Sequence, residues 1–210
     1  MATDLAMERR LGRLVAGIDE AGRGPWAGPV VAAAVILDGR NLPQGIDDSK
    51  RLSRRRREAL CQEIRASALV GLGRASVAEI DAMNIAQATA LAMRRAVAKL
   101  VRASRGMMPD YALVDGGAIP AGLPCRALPL IGGDGQCLSV AAASIMAKVT
   151  RDAIMTDLAM RYPGYGWERN AGYGVPAHAD ALRRLGVTPE HRRSFRPIHK
   201  ILCEDRDLRA

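Results

Sequence analysis

Aromatic residues make up only 3% of this 210-residue chain, and that scarcity argues against the stacking platforms on which single-strand nucleic-acid binders hold their bases. The four cysteines, Cys61, Cys125, Cys137 and Cys203, have no paired spacing of the zinc or redox kind. There is no N-terminal apolar segment with a cleavage site, so a reduced, cytoplasmic protein is expected. No apolar run reaches the length needed to span a bilayer, and neither internal repeats nor low-complexity linkers interrupt the chain.

What remains is the composition of one enzyme-sized globular unit, 49% hydrophobic and 25% charged, long enough to bury a real core. Its charge is lopsided. A formal net charge of +9 and a pI near 10.0 call for a polyanionic partner, because clustered Lys and Arg release counterions from phosphates. With so few aromatics, a duplex read through its backbone fits better than a single strand.

The most informative stretch is Gly17-Ile-Asp-Glu-Ala-Gly-Arg-Gly24. Leu14 to Ile18 reads as a buried strand, with Asp19 and Glu20 where it ends. The glycines that follow are expected to let the chain bend and bring both carboxylates to one site. Carboxylates beside Arg23, itself set between Gly22 and Gly24, suit a hard cation and a phosphate, although an acidic pair at a strand end is more often a solvated turn. The design recurs: Tyr111 to Val114 reads as a strand delivering Asp115 before two glycines, and Leu128 to Ile131 as another followed by Gly132-Gly133-Asp134-Gly135.

Between these lie further elements. Val30 to Leu37 reads as a hairpin partner of the first strand and Leu69 to Ala75 as another strand. Ser53 reads as the N-cap of a helix through Leu60 and Ile64 whose basic start, Arg54 to Arg57, is expected to be solvated. A long helix from Asn84 carries a small apolar face at Ala88, Leu91, Ala92, Arg95, Ala98 and Val101. A second, from about Leu138 to Met160, places Lys148 and Arg151 one turn apart, as a phosphate-holding pair or, more commonly, a surface pair. Tyr162, Tyr165, Trp167 and Tyr173 gather in a glycine-rich stretch, either covering a helix end or presenting a ring to a sugar. Ala177 to Leu185 reads as a short helix, and His191 to Arg193 precede what pattern alone reads as an irregular C-terminus. Strands alternating with helices, with acids at strand ends, predict an α/β fold with its site at the sheet edge.

Taken together, Gly17 to Gly24, Asp48-Ser-Lys50, Val114-Asp-Gly116, Ser139 to Asp152, Gly172-Tyr173 and His191-Arg-Arg-Ser-Phe195 resemble the bacterial ribonuclease HII family in family order. The resemblance implies a ribonuclease H-like fold: a mixed five-stranded sheet flanked by helices, with a helical C-terminal segment. Residues 1–160 would form the catalytic core, and residues 161–210 would complete the substrate-binding cleft within one compact unit. It implies an endonuclease that hydrolyses the RNA strand of RNA/DNA hybrids and incises 5′ of single ribonucleotides embedded in duplex DNA, leaving 5′-phosphate and 3′-hydroxyl ends. Asp19, Glu20, Asp115 and Asp134 match the family's four catalytic acids and would hold two Mg²⁺ or Mn²⁺ ions. Two carboxylates about 4 Å apart repel by roughly 4 kcal/mol at an effective dielectric near 20, so four converging ones are tolerable only around cations.

The resemblance also assigns the substrate contacts. Gly22, Arg23 and Gly24 match a backbone reader of the ribose 2′-hydroxyl, Tyr173 the sensor of the ribonucleotide-to-deoxyribonucleotide junction, and Lys50, Ser144 and Lys148 phosphate contacts. Family members often carry Lys where this chain has Gly132, which leaves a phosphate contact at that position open. Ribonuclease HIII has an extra N-terminal domain and usually Glu as its fourth acid, whereas here the core begins almost at once and the fourth acid is Asp134. Residues 201–210 lack the paired aromatics of a sliding-clamp peptide, and a monomer acting away from membranes is expected. The alternative, a non-catalytic hybrid-binding protein, needs the basic face but none of the acids. A resolvase of the same fold is disfavoured by the Gly22 to Gly24 and Gly172-Tyr173 elements.

Overall fold

The computed structural model describes residues 4–12 and 14–207; of the C-terminal residues expected to lack a clamp peptide, 208–210 lie outside the described residues. The elements, in order, are α1 (Ala6–Leu11), β1 (Val15–Ala21), β2 (Val30–Leu37), α2 (Arg54–Ser67), β3 (Ala68–Ala75), α3 (Val77–Met83), α4 (Ile85–Ala103), β4 (Tyr111–Asp115), β5 (Arg126–Leu130), a 3₁₀ turn (Gly133–Gly135), α5 (Leu138–Arg161), α6 (Trp167–Asn170), α7 (Pro176–Leu185) and α8 (Arg196–Asp207).

Two-residue alternation on the central strands decides the layers. Ala16 and Ile18 of β1 and Ala32, Ala34 and Ile36 of β2 share a core with α4, while Ala33 and Val35 pack with α2 and α5. A strand covered on both faces reads as a continuous apolar run, as Val30 to Leu37 does. Close approach of α5 requires a missing side chain at Gly17, where a Cβ would collide with the backbone of Ser139 and Val140.

The sheet runs β3-β2-β1-β4-β5. β1 pairs antiparallel with β2 and parallel with β4, and β4 pairs parallel with β5. This is the mixed five-stranded, helix-flanked, ribonuclease H-like sheet that the motifs implied.

The structure corrects the local reading at the acids. β1 does not stop before Asp19: it continues to Ala21, pairing Asp19 with Ala33 and Glu20 with Ala32. Both carboxylates line one cleft, on the part of β1 that extends past the end of its register with β4 at Ile18 and Val114.

Two further differences concern the helices. The C-terminus is not irregular: Asp81 of α3 accepts hydrogen bonds from Arg193 N (3.0 Å), Ser194 N (2.9 Å) and Ser194 Oγ (2.6 Å), satisfying free amides just ahead of α8. The structure adds α3, whose start is marked by a capping box, Ser76 with Glu79.

The segment after α5 builds its own core from Tyr165, Trp167, Ala181, Leu182 and Ile198, seated on Met155 and Leu158 of α5 and on Ala27. Inside it lie two buried histidines whose partners decide their tautomers. Trp167 Nε1–H donates to His178 Nε2 (3.1 Å), so His178 Nδ1–H faces the Tyr173 carbonyl (2.9 Å). Thr188 N–H donates to His191 Nδ1 (3.0 Å), leaving His191 Nε2–H for His178 Nε2 (3.1 Å). Burial holds both rings below the usual histidine range, and the neighbouring His178 helps push His191 down to about 3.

Because the folded values lie below the unfolded one, this pair favours folding above about pH 6.5. That contribution is lost as pH falls toward the folded values, by up to about 1.4 kcal/mol per pH unit for each ring that stays neutral. The melting temperature of His191→Gln is therefore expected to fall less steeply than wild type between pH 7 and pH 5 in a thermal-melt series. Parallel slopes would mean that His191 titrates freely in the folded protein.

Candidate active site

The cleft opens at the edge of the sheet where the C-terminal ends of parallel β1 and β4 meet the loop after β1, the usual ligand position in α/β sheets. It measures about 320 Å³, and Asp19, Glu20 and Asp115 line its floor. Asp134 joins from the 3₁₀ turn through Lys50, whose Nζ donates to its Oδ2 at 3.1 Å. The turn is in turn held by Asp115, whose Oδ1 accepts the Gly133 N–H at 2.8 Å. All four acids predicted from sequence are thus brought to one end of the sheet.

Their electrostatics are those of a crowded, partly dry site. Burial, then the charges of Glu20 and Asp115, raise Asp19 well above the usual carboxylate range, against hydrogen bonds from Ser144 and the Glu20 amide. Burial raises Glu20 as well, offset by Arg23, and raises Asp115, offset by the Gly133 amide. Glu20 is bound by Arg23 Nη1 at 3.3 Å.

Among the described residues, no three of His, Cys, Asp and Glu are gathered closely enough to hold a metal in this arrangement. The donor chemistry nevertheless fits a hard divalent cation: every acid offers carboxylate oxygen, and two of them are turned toward cationic side chains. The Lys50 and Arg23 side chains are 78% and 57% exposed, so neither cation is enclosed by the protein.

The remaining sequence candidates are placed as follows. Gly22, Arg23 and Gly24 form one wall, with a Cβ on Gly24 falling 3.6 Å from Tyr173 Cε1. Tyr173 lines that wall and is 47% exposed. Tyr165, by contrast, is buried, stacks on Trp167 with centroids 5.1 Å apart and donates its hydroxyl to the Gly186 carbonyl at 2.8 Å. Ser144 is buried and spends its hydroxyl on Asp19 and on Ser49 Oγ, 2.9 Å away. Lys148 lines the cleft and pairs with Asp152 at 2.8 Å. Gly132 sits in the left-handed region with open space around it.

Two readings of basic residues are corrected. Arg151 is neither a surface group nor a partner of Lys148. It is buried, donating to the carbonyls of Pro29 (3.0 Å), Ala171 (3.0 Å) and Ala27 (3.1 Å). Arg57 is not merely solvated: its Nη1 ties down the Asp48-Ser49-Lys50 loop through the carbonyls of Ser49 (2.8 Å) and Leu52 (2.6 Å). Helical spacing fixes which residues share a face but not whether an Arg reaches inward, so neither role was legible.

Sequence reasoning also missed the cleft's extension. From Glu20, Arg23 and Asp115 a groove of about 500 Å³ continues between the start of α4, at Ala86 and Gln87, and the loop 116–121. The glycines after Asp115 were the one available signal.

A mixed sheet in this order, with acids at the ends of its central parallel strands and a basic wall beside them, defines a nuclease of the ribonuclease H-like class. The comparisons narrow this. The ribonuclease HII family model matches residues 16–200. The ribonuclease HII of Jannaschia sp. is 59% identical over 203 residues, covering 97% of this chain and 100% of that protein. That of Roseobacter denitrificans is 53% identical over 197 residues, covering 94% and 97%. The crystal structure of ribonuclease H2 from Pyrococcus horikoshii superposes with a TM-score of 0.76 at 27% identity, covering 92% of this chain and 99% of that one. The chain belongs to the ribonuclease HII family. It is accordingly an endoribonuclease acting on RNA/DNA hybrids, and membership implies dependence on a divalent cation, Mg²⁺ or Mn²⁺.

A dry carboxylate held among like charges is a local instability that function retains. In metal-free buffer Asp19→Asn is expected to be more stable than wild type, by on the order of 1 kcal/mol, in urea unfolding at neutral pH. A clear loss of stability would mean that the carboxylate is satisfied where it lies.

Proposed function

We propose that this protein cuts the RNA strand of hybrids and nicks 5′ of single ribonucleotides in duplex DNA, with Asp19, Glu20, Asp115 and Asp134 holding two divalent cations. The observation that supports this is the meeting of β1, β4 and the 3₁₀ turn: Asp19, Glu20 and Asp115 line the cleft walled by Gly22 to Gly24 and Tyr173, and Asp134 is tied to it through Lys50. When bound, the cations supply an activated water and charge stabilisation for an in-line displacement at phosphorus.

The chain's own residues do the rest. Ser144 and the Glu20 amide hold Asp19 in orientation. Lys50 and Arg23 neutralise Asp134 and Glu20 in the free enzyme and, turned outward, meet the phosphates of the incoming strand, with Lys148 further along the wall. The charge of +9 draws in the duplex, and the protein acts as a monomer.

Specificity belongs to the wall. A lone ribonucleotide offers a single 2′-hydroxyl, which the backbone of Gly22 to Gly24 reads. A second contact must sense that the next sugar lacks one. Tyr173, exposed beside Gly24, packs its ring on that sugar and is obstructed by a further 2′-hydroxyl.

Three outcomes test the reading. A duplex bearing one ribonucleotide is expected to be cut on its 5′ side in Mg²⁺ or Mn²⁺ and left intact in EDTA, with the products mapped on sequencing gels. Asp19→Asn abolishes cutting while still binding hybrid; activity within about tenfold of wild type, about 1.4 kcal/mol, rules out its role as a metal ligand. Tyr173→Ala loses far more kcat/KM on a single embedded ribonucleotide than on continuous hybrid, and equal losses reject the junction role.

A further inference from the structure

The wall's most telling feature lies behind it. Arg192 is fully buried, and among the described residues no carboxylate forms an ion pair with its guanidinium. Instead Nη2 donates to the Gly22 carbonyl (2.6 Å), Nη1 to the Arg23 carbonyl (2.9 Å) and Nε to the Gly28 carbonyl (2.9 Å). Phe195 backs it, its ring centroid 5.0 Å from Arg192 Cζ. Any backbone acceptor would serve to anchor the C-terminal segment. Here two of the three belong to consecutive peptides of the one loop that faces the substrate.

In a planar trans peptide the carbonyl of one residue and the N–H of the next point in opposite directions. Fixing the Gly22 and Arg23 carbonyls inward on Arg192 therefore turns the amides of Arg23 and Gly24 outward, and neither donates a hydrogen bond among the described residues. Retreat of the loop is blocked, because Gly22 has φ +97° and Arg151 packs so closely beneath it that a Cβ would strike the guanidinium. A buried cation at the oxygen end of each peptide also polarises its N–H toward an incoming oxygen.

We propose that Arg192 is a positioning residue that aims the amides of Arg23 and Gly24 into the cleft as the donor pair for the ribose 2′-hydroxyl. The inference deepens the reading of residues 22–24 given above and rests on it. Recognition of RNA is then set by a side chain that never touches substrate.

The test measures binding of the full chain, in Ca²⁺ to prevent turnover, to a duplex with one ribonucleotide and to the same duplex made wholly of DNA. Wild type is expected to prefer the ribonucleotide. Arg192→Lys, which keeps the charge but cannot span both carbonyls, is expected to lower that preference about tenfold while affinity for the DNA duplex stays within about twofold, at a temperature well below its measured melting point. A structural role alone would lower the melting temperature or weaken both duplexes alike, and either result with the preference retained overturns the proposal. Should Arg192→Lys fail to fold, Phe195→Leu takes its place with the same two outcomes. No preference in wild type would instead refute the reading of residues 22–24, which keeps the two failures apart.

Discussion

A carboxylate that water scarcely reaches, set beside two others, is the group around which this protein is arranged. Asp19 is 5% exposed near the end of the central strand, and the charges of Glu20 and Asp115 add to burial in disfavouring its ionised form. The surroundings meet that repulsion piecemeal. Ser144 and a backbone amide bind Asp19, Arg23 covers Glu20, the Gly133 amide holds Asp115, and Lys50 holds Asp134. Each of these is a provisional partner, and the two cationic ones are exposed enough to leave.

The basic wall is held from below by the opposite strategy. Arg151 and Arg192 are buried and have no ion pair among the described residues, and removing a guanidinium from water costs several kcal/mol. Three hydrogen bonds from each to main-chain carbonyls, at roughly 1.5–3 kcal/mol apiece for a charged donor, offset that penalty. Their acceptors run from Gly22 to Pro29 and on to Ala171, so these two side chains join the loop after β1 to α5 and to the segment carrying Tyr173. The C-terminal helices close the other side through the histidine pair, one of which donates to the Tyr173 carbonyl.

Much of the architecture was readable because it rests on periodicity and punctuation. Val30 to Leu37, the long helix begun by Asn84 and the alanine-rich helix from Leu138 all occur as expected, since burial on one or both faces leaves a direct mark on residue order. The motif set also led to the family that the comparisons establish. Short elements were lost: α3 occupies seven residues, too few for a periodic signal, and α8 depends on Asp81, more than a hundred residues away.

The sequence by itself determined the fold class, the family, the acidic and basic groups present and the strands or turns that carry the acids, because each is written in local order or in a motif. Only the tertiary structure decided which of several like residues does what. Of Arg192 and Arg193, it is Arg192 that turns inward; of Lys148 and Arg151, one turn apart, it is Arg151 that is buried while Lys148 lines the cleft. Both acids of the first strand line one cleft, on the stretch of β1 beyond its register with β4. These choices follow from packing between segments distant in the chain, where side-chain direction, burial and hydrogen-bond partners are set by neighbours that local sequence does not specify.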